Sequence, residues 1–565
     1  MVGLQKSSEA LALGNCSASE HIYEPRGSRL PIVLITLLAA ALRLYQLGHL
    51  SFWYDEAVTI ILSKDISALP QSLTTCAPLP LVFAHYWNLL SHSEFWVRLW
   101  AAAFGIALVP VVWVLGKRLL SHRAGLFAAV LVAINPLFIY YSQEARAYSI
   151  LPFFVVASGY CWLIAAQRRK WWPYGFCASL ALALAFYSHY YAVLWIASLP
   201  LSVLLMARSR RKKAQEKRPA SAIRLDLKTL VVSLVFVAPW LTIFLDKATT
   251  TLSTADFWIP KPTLKTLLLS LQNMSIGFQA PLWAGVIAAI LIALVVILGL
   301  GCGLVRGRSA EMLFLAANAF VPILLAFAIS KLVKNSIYLD RCLIPSSIFL
   351  LMIAAYGMSV LRRWTAVAAL LLLSFLTSFS LFNHYRNIIP DISHCPGVRP
   401  RGEFKQAADF VKQNLSEGDL VAHTCRSSLA PFMVYLPEGQ RQVVLASSGE
   451  HRAKVMQKYP YKGLWTSELS KMTLPISFYE LPPGYKRLIL VASEWDIGKG
   501  DFYSKEKVAV RRLLDDTYPL IMSKDFYGAP LYFYDLTTPA SKSKVESRKS
   551  KVLHPSSFIL HPSSF

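Results

Sequence analysis

The chain has 565 residues, of which 57 are Lys or Arg and 32 are Asp or Glu, a formal net charge of +25. Apolar residues make up 55% and charged residues 16%, against about 25% charged in an ordinary soluble domain. So apolar a background excludes a soluble globular enzyme, a disordered chain and a disulfide scaffold. It also argues against nucleic acid as a partner, because such binders carry dense Lys and Arg on a polar surface. It fits a multi-span membrane protein whose positive charge is sorted to one side.

In chain order, residues 1–29 precede the first span, and long apolar runs fill residues 30–382. A helix needs about 20 mostly apolar residues to cross the hydrocarbon core. Eleven spans are expected, near 30–47, 95–117, 124–141, 147–166, 171–188, 190–207, 228–246, 281–305, 311–331, 342–361 and 364–382. The first is read as a span rather than a cleaved signal, since no small-residue cleavage site follows it.

Lys and Arg concentrate in cytoplasmic loops. The stretch Arg208 to Arg218 is the strongest cluster. Smaller ones are Lys117/Arg118/Arg123, Arg168/Arg169/Lys170, Arg306/Arg308 and Arg362/Arg363. Alternating sides along the spans puts all of these on one face. The N-terminus joins them if the apolar stretch Leu79–Leu90 does not cross, and with about a dozen residues it is too short to. It is expected to lie at the outer surface. The loop 48–94 is then external and carries Asp55, Glu56, Asp65 and Glu94 with a single Lys, Lys64.

The same parity places the C-terminus outside. Residues 383–537 are mixed and polar. Helical periodicity at Glu403–Leu415 and Lys507–Asp515 alternates with strand-like runs at Asp419–Thr424, Arg487–Ser493 and Pro530–Leu536, which predicts a small α/β domain. The tail, 538–565, is Ser/Lys-rich and then repeats Leu-His-Pro-Ser-Ser-Phe-Ile from Leu553; such low complexity gives no reason to fold. Cys395 and Cys425 both fall in the external domain, where a bridge and two separate thiols are equally open readings. No CxxC, HExxH or clustered His/Cys pattern marks a metal site, although a divalent metal requirement stays open. The fold class is therefore an α-helical polytopic membrane protein with an external α/β domain.

Four polar segments interrupt the apolar pattern at outer span ends. The first is Ser51-Phe-Trp-Tyr-Asp-Glu-Ala57, with adjacent acids Asp55 and Glu56. They are either a solvated loop in which Asp55 caps a short helix starting at Glu56 or a base held at the membrane surface. The second holds Gln143, Glu144, Arg146 and Tyr148, either an internal Glu144–Arg146 pair or a functional cluster at membrane depth. The third is Tyr187-Ser-His-Tyr-Tyr191, where His189 is an interfacial hydrogen-bonding residue or a ligand to substrate. The fourth is Tyr338-Leu-Asp-Arg-Cys-Leu-Ile-Pro345, with Asp340 and Arg341. Arg341, Arg98 and Arg43 would each suit snorkelling to head groups. Taken together, however, Arg98, Arg146 and Arg341 break the positive-inside pattern on the face that also carries Asp55, Glu56, Glu144, His189 and Asp340. Guanidinium groups there suit a lipid phosphate, which they grip bidentately.

These motifs resemble the GT-C membrane glycosyltransferases. The resemblance rests on Leu42-Arg43-Leu44, Trp53-Tyr-Asp-Glu-Ala57, Ala77-Pro-Leu-Pro80, Ser93-Glu-Phe-Trp-Val-Arg98, Ser142-Gln-Glu-Ala-Arg-Ala-Tyr148 and Asp340-Arg-Cys-Leu-Ile-Pro345. Within that superfamily the chain is most similar to the family 39 branch, which includes protein mannosyltransferases and lipid A aminoarabinose transferases. The likeness covers about 30–382 and continues into Glu403–Asp419. The chain departs from many relatives in having Thr75-Cys-Ala-Pro78 where they have a His-Pro-Pro sequence, and Arg341-Cys342 where they have Arg-Tyr.

The resemblance implies an inverting transferase in the plasma (inner) membrane, with its site and C-terminal domain on the external side. It implies a polyprenyl-phosphate-linked sugar as donor, and a lipid, glycan or protein as acceptor. Membrane lipids surround it. In that scheme Asp55 takes the acceptor proton, and Glu56 orients the acceptor or a neighbouring Arg. Arg146 and Arg341, with Arg98, stabilise the departing phosphate, and Glu144, Tyr148, His189 and Asp340 complete the substrate site. An oligosaccharide ligase or polymerase would share this outer-site logic. A transporter or flippase would instead show ionisable residues near the midplane and broken, repeated spans.

Overall fold

The computed structural model describes residues 29–64, 77–214, 220–253, 259–450, 475–493 and 502–538. The expectations for residues 1–28, for Thr75 and Cys76, for the basic loop beyond Ala214 and for the tail after Thr538 lie outside the described residues.

Among the described residues, eight helices are long and apolar enough to cross a membrane. They are Glu94–Leu119, Ile150–Arg168, Tyr190–Ser209, Arg224–Thr249, Leu282–Val305, Ser309–Leu332, Asp340–Val360 and Arg363–Tyr385. The pair His122–Ile134 and Pro136–Ser142 makes a ninth if counted as one bent span, and Leu30–Leu44 and Tyr174–Ser188 are shorter apolar helices. Every expected span therefore meets an apolar helix, and the chain is a multi-pass membrane protein. The stretch around Leu79–Leu90 forms the helix Pro78–Asn88. At 1.5 Å per residue it is about 16 Å long, half of what crossing requires.

The expected span 124–141 is not one straight helix. It bends by 58° between Ile134 and Pro136, because Pro136 has no N–H for the carbonyl of Val132. Arg43 supplies the missing donors. Its Nη2 lies 3.1 Å from Val132 O and its Nη1 2.9 Å from Ala133 O. Arg43 is fully buried, so the snorkelling reading is corrected: this guanidinium caps a broken helix inside the bundle. The helix Ile344–Val360 runs through the bundle's centre, buried continuously from Ile344 to Met358. It packs backbone to backbone on Leu282–Val305, where a Cβ on Gly357 would lie 1.9 Å from Val295 O and one on Gly299 2.4 Å from Ile353 O. Small residues permit such close crossings in membranes.

After Tyr385 the chain folds as the expected α/β unit around a six-stranded sheet of order β3-β2-β1-β4-β6-β5. The strands are β1 (Asp419–His423), β2 (Gln442–Ala446), β3 (Pro475–Ser477), β4 (Arg487–Val491), β5 (Leu520–Lys524) and β6 (Leu531–Asp535). β1 to β4 pair in parallel, and β6 pairs antiparallel with β4 and β5. Period-2 alternation gives the sheet two apolar faces. Val421, Ile489, Val491 and Phe533 pack with the helices Phe404–Asn414 and Arg426–Tyr435. Leu420, Leu488, Leu490 and Tyr534 pack with Val510 and Leu514 of the helix Phe502–Thr517. Cys395 and Cys425 are both buried and not joined by a disulfide.

The unit is docked on the bundle. Val434 and Tyr435 from the helix Arg426–Tyr435 pack with Phe52, Ile60, Val97 and Trp100. Phe52 N donates to Tyr435 Oη at 2.7 Å, and the two rings stack at 5.7 Å.

Candidate active site

The acid pair opens the helix Tyr54–Ser63, placing Asp55 and Glu56 in its first turn, where the helix dipole favours negative charge. Helical geometry then separates the two carboxylates. Glu56 points inward with no exposed surface, while the Asp55 side chain keeps 21% of its exposure.

Glu56 is held in a buried charge cluster. Arg98 Nε and Nη2 each donate to it at 2.8 Å. The rest of the Arg98 guanidinium is committed to the carbonyls of Leu47, Leu50 and Ser51 at 2.7–3.1 Å. Arg98 is 2% exposed. Both the snorkelling role and the phosphate-binding role expected of it are therefore corrected: it fixes the loop ahead of Asp55. Glu56 also accepts Ala145 N–H at 2.9 Å and Arg401 Nη1 at 2.6 Å. The second Arg401 nitrogen, Nη2, donates to Glu144 Oε1 at 2.8 Å. Glu144 thus pairs with Arg401, and the internal Glu144–Arg146 pair is corrected.

Burial pushes the Glu56 carboxyl up, but Arg98 and Arg401 outweigh it and bring the group down to about 2. Burial lifts Glu144; Arg401 opposes this, the nearby Glu56 adds to it, and the group settles at about 7.

Beside this cluster lies a cavity of about 460 Å³. Thr59, Arg146, Tyr148, His189, Tyr191 and Arg341 form its polar lining. Pro80, Leu81, Leu194, Phe244, Ile259 and Ile329 give it an apolar wall, and Lys247 also borders it. Arg146 Nη2 stands 3.8 Å from Asp55 Oδ2, and its Nη1 donates to Thr59 Oγ1 at 3.0 Å. Arg341 lies over the Tyr148 ring at 5.7 Å, and the Tyr148 and His189 rings are 5.8 Å apart. Burial, with the charges of Arg146 and Arg341, pushes His189 down to about 3. It is therefore a neutral hydrogen-bonding ring rather than a cation at ordinary pH.

Of the residues expected from sequence, Arg146, Tyr148, His189 and Arg341 line this cavity, and Asp55 reaches it only through its 3.8 Å approach to Arg146. Glu56, Arg98 and Glu144 form the buried cluster behind it. Asp340 does neither: it accepts Ser270 Oγ at 2.5 Å and Asn273 Nδ2 at 2.6 Å, tying the helix Leu264–Ile276 to the turn before Ile344. Sequence reasoning missed Arg401, Thr59 and Tyr191. Arg401 carries no local signal, because Arg399-Pro-Arg401 lies in a coil stretch of a domain that is itself rich in Lys and Arg. Among the described residues no three His, Cys, Asp or Glu side chains are grouped so that they could hold a metal ion.

A family described as dolichyl-phosphate-mannose-protein mannosyltransferase matches residues 77–243, the stretch that carries Arg98, Glu144, Arg146, Tyr148 and His189. No curated protein sequence matches the chain. Among solved structures, the chain is similar to ArnT from Cupriavidus metallidurans in its apo state, at 14% identity and a TM-score of 0.56, covering 89% of this chain and 97% of that one. It is similar to the same protein bound to undecaprenyl phosphate, at 13% identity and a TM-score of 0.52, with the same coverage. It is also similar to the oligosaccharyltransferase of Archaeoglobus fulgidus in complex with Zn and sulfate, at 11% identity and a TM-score of 0.50, covering 92% and 80% of the two chains. Likeness over nearly the whole length at such low identity establishes a shared architecture. The chain is therefore a multi-pass membrane protein with the GT-C fold.

Proposed function

We propose that the chain is a glycosyltransferase that moves a sugar from a polyprenyl-phosphate donor to a hydroxyl of a lipid, glycan or protein acceptor, at the external face of the plasma membrane and with inversion. The observation that carries this reading is the cavity that joins two guanidinium groups, Arg146 and Arg341, to a long apolar wall, with the Asp55 carboxylate beside Arg146. A lipid phosphate has the same two-part chemistry. Its charge meets the arginines, which bind phosphate oxygens in a planar fork, and its first isoprene units meet Leu81, Leu194 and Phe244. The match to a family of lipid-phosphate-sugar users and the fold shared with a protein solved with undecaprenyl phosphate support the same donor class.

The chemistry is a single displacement at the anomeric carbon. The acceptor oxygen forms the new glycosidic bond, the bond to the phosphate oxygen breaks on the opposite face, and the acceptor proton passes to Asp55. Arg146 and Arg341 stabilise the charge that grows on the leaving phosphate. A positioned base contributes about two to four orders of magnitude in rate. The ionisable residues stand at helix ends rather than mid-span, which favours a transferase over a transporter.

The test is to incubate the purified protein with a panel of polyprenyl-phosphate monosaccharides and lipid-linked oligosaccharides. Consumption of a monosaccharide donor with release of lipid phosphate supports the reading. Consumption of oligosaccharide donors alone replaces it with a ligase or polymerase, and consumption of none overturns it.

A further inference from the structure

We infer that Arg401 is a positioning residue that sets the gap between Asp55 and Arg146, and that it makes the C-terminal domain an integral part of the active site. The inference rests on the transferase reading and adds to it a residue that belongs to none of the expected motifs.

Arg401 is held at both ends. Its backbone is pinned to Asn387, just beyond the last bundle helix: Arg401 N donates to Asn387 Oδ1 at 2.7 Å and Asn387 Nδ2 donates to Arg401 O at 2.8 Å. Its guanidinium lies over the rings of Trp53 at 5.3 Å and Tyr140 at 5.8 Å. The two terminal nitrogens then grip two different segments. One takes Glu56, the neighbour of Asp55, and the other takes Glu144, two positions before Arg146. Glu56 closes the frame through Ala145 N–H. A single planar fork therefore bridges the helix that carries the base and the loop that carries the phosphate ligand. The side chain is 7% exposed and its carboxylate partners 0% and 1%, so water does not substitute for it.

The C-terminal domain adds further ties beside this one. Lys405 Nζ pairs with Glu94 Oε2 at 3.0 Å, and Ser51 Oγ donates to Gln406 Oε1 at 3.1 Å. The loop before Asp55 is thus gripped from the C-terminal domain as well as by Arg98.

Charge balance separates positioning from mere stability. The cluster holds two carboxylates, Glu56 and Glu144, and two guanidiniums, Arg98 and Arg401. Arg401→Gln leaves two buried carboxylates facing one guanidinium, an imbalance that protonation of Glu144 must relieve. The double variant Arg401→Gln with Glu144→Gln restores neutrality without restoring the bridge.

The experiment measures, for wild type and both variants, thermal unfolding in detergent, undecaprenyl phosphate binding, kcat with a consumed donor, and hydrogen exchange at residues 55–59 and 145–147. The double variant is expected to regain the wild-type unfolding temperature and phosphate affinity. Its kcat is expected to stay on the order of 100-fold low, as misplacement of a reacting group by about 1 Å costs, and the two segments are expected to exchange faster. Wild-type kcat in the double variant overturns the inference, and so does unchanged exchange. Donor consumption by no form of the protein overturns the transferase reading instead; the exchange arm then still decides the bridge, which faster exchange upholds.

Discussion

Glu144 and Arg401 are 257 positions apart in sequence, and their side chains meet at 2.8 Å in a buried site. The contact joins the loop that supplies Arg146 to a segment that enters only after the last bundle helix. It also puts two carboxylates, Glu56 and Glu144, on one guanidinium that lowers both, yet Glu56 ends below the ordinary carboxylate range while burial holds Glu144 above it.

The two shifts act on stability with different signs as pH changes. Glu144 sits at about 7 in the folded protein, above its unfolded value of about 4.3, so the folded state holds a proton that the unfolded state has lost. Stability from this group is present below the unfolded value and falls as pH rises through about 7. Arg401, Glu56, Arg341 and Asp55 are the charges that face it. Glu56 runs the other way: its stability is present above the unfolded value and is lost as pH falls toward about 2. Unfolding temperatures recorded from pH 5 to 8 should decline for wild type and stay flatter for Glu144→Gln. Parallel curves would contradict the assignment.

Glu56→Ala removes the shared acceptor of two buried guanidiniums. Breaking a buried pair from one side costs about 3–5 kcal/mol, so this variant should unfold well below wild type in detergent or fail to accumulate. An unfolding temperature within a degree or two of wild type would show that the cluster does not hold the loop.

Arg146→Ala should act on donor use. A charge-assisted hydrogen bond is worth about 1.5–3 kcal/mol, or roughly 10- to 150-fold in kcat/KM at 1.4 kcal/mol per decade. Steady-state kinetics with varied donor, at fixed acceptor, checks this. An unchanged kcat/KM for the donor would remove Arg146 from the phosphate site.

Gly105→Ala probes the packing around Arg43. An added Cβ would lie 2.0 Å from Ser142 Oγ and 3.1 Å from Arg43 Nε, an overpacking that costs about 1–3 kcal/mol. A drop in unfolding temperature is expected, and no change would mean that the helix Glu94–Leu119 shifts freely to make room.

The helical half of the fold was legible because spans announce themselves by length and apolarity alone. Its errors came from single residues. Pro136 broke a run that hydropathy reads as continuous, and Arg43 and Arg98, which look like snorkelling residues, are buried against carbonyls that only the folded chain brings to them. In the C-terminal domain the helix Arg426–Tyr435 was missed because Pro431 lies inside it. β5 was missed because Leu520–Lys524 is a largely exposed edge strand with no buried alternation to read. For the site, Asp55, Arg146, Tyr148, His189 and Arg341 were legible as polar interruptions at span ends. Arg401 was not, because its partners are distant in sequence and its own surroundings read as ordinary coil.

The central claim is that Asp55 accepts the proton of the attacking hydroxyl. It is tested most directly by Asp55→Asn, assayed in a single turnover with a donor that wild type consumes. The side chain stays isosteric and lies outside the buried Glu56 cluster. The variant is expected to unfold and bind undecaprenyl phosphate like wild type, and to transfer sugar about two to four orders of magnitude more slowly. Transfer at the wild-type rate would contradict the claim.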